Sequence, residues 1–124
     1  MTRNSPIQPK QQITFGKFAN VDMRVARIDE APMANGTAKP CRLLALDLGV
    51  LGKRTSVGQY ALIPESELVG KLVIVCANLG PKPMGPHTSE ALVLGTPHPG
   101  SPDDEDQALP LYADPRAVPG DHVF

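Results

Sequence analysis

The stretch KLVIVCANLGPKPMGPHTSEALVLG, residues 71–95, decides how the chain folds. Its first part, KLVIVCAN (71–78), is apolar at successive positions, so an extended segment here has no face suited to water. That is the pattern of a strand buried on both sides. EALVLG (90–95) reads as a second short strand. The connection between them holds three prolines and two glycines, which makes it a stiffened loop and not a helix. It sets Asn78 at the end of one strand and Ser89-Glu90 at the entrance to the next.

Upstream, VDMRVARI (21–28) alternates, with Val21, Met23 and Val25 on one face and Asp22 and Arg24 on the other. CRLLALDL (41–48) and KRTSVGQY (53–60) are two further strands, and the latter opens with adjacent cations, Lys53 and Arg54. Pro32 to Pro40 form a loop, and GVLG is a short connection. IPESELVGK suits a one-turn helix with Pro64 at its first position and Gly70 ending it. In front of the first strand, TFGKF reads as another helical turn, capped by Thr14, with Phe15 and Phe18 on one face. Five short strands with a short helix between strands 3 and 4 is the order of an OB-fold, an all-β Greek-key barrel. An SH3-like barrel or a small sandwich has a similar strand inventory.

A chain of 124 residues is the size of one domain and buries enough surface to stand without staples. The expected division is a disordered or loosely attached arm over 1–12, the barrel over 13–96, and an acidic loop with a C-terminal extension over 97–124 that has room for short strands or turns. Cys41 and Cys76 each lie inside an apolar run, as small buried hydrophobes do. His87, His98 and His122 stand apart, without the clustering a metal site needs, and nothing calls for a cofactor. No nucleophile stands beside a base at a recognisable spacing and no phosphate-cradling glycine loop precedes a helix, so an enzyme is not expected. The polar start MTRNSPIQPKQQ lacks the apolar core of a signal peptide, and no run reaches membrane-spanning length; the expected location is the cytoplasm.

The net charge of −1 hides an asymmetry. Residues 1–54 carry nine Lys/Arg against four Asp/Glu, and residues 55–124 carry three against nine. Two readings remain open: an acidic insertion around PDDED (102–106) beside an ordinary surface, or a basic face built from the first three strands.

FANVDMRVARI, ELVGKLVIVCANL and MGPHTSEALVLG, in that order, resemble the tRNA-binding OB domain that is appended to methionyl- and phenylalanyl-tRNA synthetases and also occurs as small free-standing proteins. KPCRLLALDLGVLGKRTSVGQY is most similar to the CsaA-type branch, described as export-related chaperones. The resemblance covers about residues 13–96 and implies a barrel that pairs into a homodimer. It also implies an RNA-contacting surface of Arg24, Lys53, Arg54, Ser56, Asn78, Lys82, Ser89 and Glu90. Arginine offers phosphate a planar fork and lysine a mobile charge, while Asn, Ser and Glu can meet sugar hydroxyls or base edges. The chain departs from the family where its first long loop reads PMANGTAKPC, and where Leu79-Gly80 follow the closing Asn.

Two functions follow from the resemblance. The first is binding of tRNA or another structured RNA through shape and backbone; with few aromatic side chains, stacking on single strands is a minor contribution. The second is a chaperone-like hold on unfolded polypeptide, with Val57, Tyr60, Leu79 and Met84 as cleft residues.

Overall fold

The computed structural model describes residues 8–101, 103 and 106–124. The chain runs through α1 (Phe15–Phe18), β1 (Met23–Glu30), β2 (Met33–Ala34), β3 (Cys41–Asp47), β4 (Lys53–Gly58), α2 (Glu65–Leu68), β5 (Leu72–Cys76), β6 (Lys82–Met84), β7 (His87–Ser89), β8 (Leu92–Val93), β9 (Gly95–Pro97) and β10 (Ala108–Pro110). The barrel follows the path β4-β3-β1-β5-β8, all antiparallel, with β2 added to β3. β1 pairs with β5 through Arg27 and with β3 from Arg27 onward, and the β3 ladder carries a register irregularity between Ile28 and Glu30. This is the expected five-stranded OB barrel, with α2 between its third and fourth strands.

Inward residues pack one core: Ala26 and Ile28 from β1, Leu44 and Leu46 from β3, Val73 and Val75 from β5, and Val93 from β8. α2 presents Leu68, fully buried, to the same core, a burial that stabilises by roughly 2 kcal/mol. Pro64 occupies the cap position of α2 and not its first turn, and Gly70 closes the helix at φ 87°. At α1, the Lys17 N–H donates to Thr14 Oγ1 at 3.2 Å as the cap reading expects.

The structure differs from the sequence expectation at further places, one of them the loop over 32–40, where Met33–Ala34 form β2 against β3. Residues 82–89 are not an open loop: β6 and β7 form a hairpin, Lys82 opposite Ser89, turning at Gly85-Pro86 with Gly85 at φ 60°. Residues 108–123, open in the sequence to short strands or turns, run back along the barrel. β10 pairs with β9, Ile74 N–H donates to Leu111 O, Ala113 N–H to Leu72 O, and Val25 N–H to Asp121 O. This return fills the gaps left along β5 and β1, and Val25 is buried on the outer side of its strand. Of the expected 1–12 arm, residues 1–7 lie outside the described residues, as do 102, 104 and 105 of the acidic loop.

Candidate nucleic-acid interface

Strand alternation sorts the sequence-marked cations. On β1, Arg24 shares a face with Ala26 and Ile28 and lies opposite Val75. On β4, Arg54 lies opposite the core residue Leu46. Both are therefore inward-facing residues near an end of the barrel, and both side chains reach polar groups there. Arg24 Nε donates to Asp22 Oδ1 at 2.7 Å and Nη1 to Gly120 O at 3.2 Å. Arg54 Nη1 donates to Ala77 O at 2.8 Å, across the barrel. Asn78, the next residue, accepts the Asp22 N–H on Oδ1 at 2.9 Å and donates from Nδ2 to Asn20 O at 2.7 Å. Arg24, Arg54 and Asn78 thus converge on segments 20–22 and 77–78. Lys82 follows Asn78 by four residues, within about 14 Å by chain length.

Lys53 does not join them. Next to Arg54 in sequence, it points to the opposite face and meets the row Arg27–Asp47–Lys53 that crosses β1, β3 and β4. Its Nζ lies 2.9 Å from Asp29 Oδ2 and 3.3 Å from Asp47 Oδ2, and Arg27 binds the same two carboxylates at 2.8 and 2.9 Å. Two cations and two anions close on themselves. Hydrogen bonds from Arg27 and Lys53 hold the Asp29 carboxyl below its usual range. The Gly49 N–H, then Lys53, does the same for Asp47. Bonding to Asp29 raises the Lys53 ammonium. Of the marked cations, Arg54 and Lys82 alone have no carboxylate partner among the described residues.

Ser89 and Glu90 face the barrel wall. Val57 N–H donates to Ser89 Oγ at 3.0 Å and Thr55 N–H to Glu90 Oε1 at 3.0 Å, while Glu90 N–H donates to Thr55 O at 2.7 Å. These bonds supply the seam between β4 and the approach to β8. Ser56, 1% exposed, presents no surface. Of the cleft residues, Val57 and Tyr60 are buried, and Tyr60 donates its hydroxyl to Val93 O at 2.8 Å, burial pushing its pKa well up. Met84 packs on Ala34, Cys41 and Val57, and Leu79 is half exposed.

The β6–β7 hairpin is pinned at both ends. Its base is held by Ser89 and its tip rests on loop 35–36. A Cβ on Gly85 would lie 2.1 Å from Gly36 O, and the His87 ring meets Asn35 O at 2.9 Å. A carbonyl only accepts, so His87 Nε2 carries the proton. Beside the hairpin opens a groove of about 680 Å³, bordered by Lys39, Gln59, Lys82, Met84, Gly95 and Gln107 among others. Lys39, Gln59 and Gln107 carry no sequence signal, because the loops that bring them together are far apart in the chain. Gln107 bridges two of these loops, accepting Ala61 N–H and donating to Pro40 O, both at 2.8 Å. Among the described residues no cluster of His, Cys, Asp or Glu is placed to hold a metal ion, and no helix is long and apolar enough to cross a membrane.

No family model matches the chain. It is 40% identical over 116 residues to a methionine–tRNA ligase of Thiobacillus denitrificans; the match takes in 90% of this chain and spans only 16% of that protein's length. Solved structures share its fold, among them the following three. CsaA of Bacillus anthracis has a TM-score of 0.80 at 24% identity, covering 92% of this chain and 100% of the other. CsaA of Picrophilus torridus has 0.78 at 29%, covering 91% and 100%. A MetRS-related protein of Pyrococcus horikoshii has 0.78 at 23%, covering 93% and 100%. With its barrel, hairpin and C-terminal return in place, this chain is a homologue of a segment of methionine–tRNA ligase, built on the fold that the CsaA chaperones and the MetRS-related protein share.

Proposed function

We propose that this domain binds structured RNA, tRNA first, without catalysing a reaction, and does so at the barrel mouth formed by Arg24, Arg54 and Asn78 with Lys82 beside it. The observation that carries the reading is Arg54: its guanidinium reaches the mouth with one backbone carbonyl as partner, leaving charge and donors for phosphate. The homologous segment of a methionine–tRNA ligase supports tRNA as the ligand. The cytoplasm is where such an RNA is met. Titration of tRNA at increasing salt tests the reading. With about three phosphates engaged per protomer, log affinity falls with log salt at a slope of roughly −2 to −3; an affinity indifferent to salt overturns it.

The same reading includes a homodimer, which doubles the basic surface. The outer faces of β1, β5 and β8 support it, because Met23, Ile74 and Leu92 stand there partly exposed. So does α1, which buries none of its residues and leaves Phe15 81% exposed. Sedimentation equilibrium of the protein and of Leu92→Asp tests it: the expected result is a dimer that the substitution dissociates.

A second reading, a hold on unfolded polypeptide, is favoured by the groove beside the hairpin and by the fold shared with the CsaA chaperones.

A further inference from the structure

The groove is bordered by three successive residues of one strand, Gly95, Thr96 and Pro97. Successive side chains of a strand point to opposite faces, so the groove meets the backbone of β9 and not a single row of its side chains. The edge of β9 away from β10 is open. His98 N–H donates to Gln107 O and Leu111 N–H to Leu94 O, so alternate residues 94, 96 and 98 are those turned toward β10. The ladder's alternation then turns the backbone groups of Gly95 and Pro97 the other way. Among the described residues nothing pairs with Gly95 N–H, Gly95 C=O or Pro97 C=O, and β9 has β10 as its sole neighbour.

Packing behind the strand keeps this edge bare. A Cβ on Gly95 would lie 2.7 Å from both Leu109 O and Tyr60 Oη, so no side chain fits there. In front, the groove has apolar walls from Met84 and Ala108 and a cationic rim. Lys82 on that rim has no carboxylate partner among the described residues, and Lys39 already holds the carboxylate of Asp106 at 2.6 Å. An acidic side chain is therefore at home at this rim.

We propose that the β9 edge receives an extended acidic segment of another polypeptide as an added antiparallel strand, lying in the groove with its carboxylates toward Lys82. The proposal rests on the polypeptide-binding reading and names the site and the chemistry of its ligand. Three backbone bonds are on offer: one donated by Gly95 N–H, and two accepted, by Gly95 C=O and Pro97 C=O. Pro97 withholds a donor, which keeps the ladder short and the hold reversible, and blunts the edge against indiscriminate pairing.

Fluorescence anisotropy with a labelled peptide alternating valine and aspartate tests the idea, using two further versions N-methylated at the odd or at the even residues. An added strand points alternate N–H groups at β9. One methylated version should therefore lose about tenfold in affinity while the other loses less than about twofold. The change is made in the peptide, so the folding of the protein is not at issue. Lys82→Glu should weaken the unmodified peptide and not an uncharged valine–threonine peptide. Equal effects of the two methylation patterns overturn the proposal. So does loss of RNA binding on Lys82→Glu when no peptide binds saturably, which makes RNA the occupant. If unfolded polypeptide is still held while no short peptide saturates, this site is wrong and the broader reading stands; if neither is held, both fall.

Discussion

Ser89 fastens the hairpin to Val57: its Oγ accepts the Val57 backbone N–H at 3.0 Å, in the place where a strand would have offered a carbonyl. One residue on, Glu90 does the same for Thr55. Side-chain oxygens thereby close the barrel beside the backbone bond from Glu90 N–H to Thr55 O.

Ser89→Ala leaves the part-buried Val57 N–H without its acceptor. The expected cost is about 1–2 kcal/mol in a urea unfolding curve, with tRNA affinity changed by less than about twofold. Glu90→Gln, which keeps an acceptor oxygen, should cost less than Glu90→Ala. A loss of RNA binding at full stability would return both residues to the recognition surface.

Adjacent cations on β4 should behave unlike each other. Arg54→Ala is expected to lower tRNA affinity and to flatten the log–log salt slope by roughly 0.7–0.9, one phosphate's worth. Lys53→Ala, whose ammonium is committed to Asp29 and Asp47, should leave the slope unchanged. Parallel titrations of the two variants decide it, and a slope change at Lys53 alone would place the interface on the outer wall.

The wall network sets an acid response. Asp29 and Asp47 have folded-state pKa values below their unfolded ones. Their contribution is therefore present above the ordinary carboxylate pKa and is lost as pH falls through the folded values. Lys53 runs the opposite way: its pKa is raised, so its contribution is present below the ordinary lysine pKa and fades as pH climbs through the folded value. Carbon-13 NMR of the Asp29 carboxyl is the measurement. Lys53→Ala should move its titration midpoint upward, toward an ordinary aspartate, and an unmoved midpoint would show that Arg27 suffices.

Gly85→Ala tests the clasp between the β6–β7 tip and loop 35–36. The new Cβ would approach Gly36 O to 2.1 Å, and the residue would have to keep φ at 60°. A destabilisation of about 1–3 kcal/mol is expected, with faster hydrogen exchange over residues 82–89 than over β5. Gly52→Ala, also at positive φ but with open space around its Cβ, is the control for backbone strain alone.

Much of the barrel was legible in the residues. Alternation in 21–28, the doubly apolar run at 71–78 and the Thr14 cap are local patterns, and the elements formed within two residues of the expected bounds. The β6–β7 hairpin was not legible, because its strands carry Pro83 and too few β-formers, and it exists by virtue of what it leans on. The path of residues 108–123 was only partly legible: LPLYADPRAVPGDHVF admits short strands or turns but has no strand period to say what they pair with, and it supplies the bonds that β1 and β5 lack.

The sequence by itself determined where strands and turns lie, since side-chain period, proline and glycine act over a few neighbouring residues. Only the tertiary structure decided which charges remain available. Lys53 meets its carboxylate partners 24 and 6 positions away and Arg54 its carbonyl 23 positions away. Two neighbours in the chain were sent to opposite faces by the pleat of one strand, and with them to opposite roles: one ammonium neutralised on the wall, one guanidinium left open at the mouth.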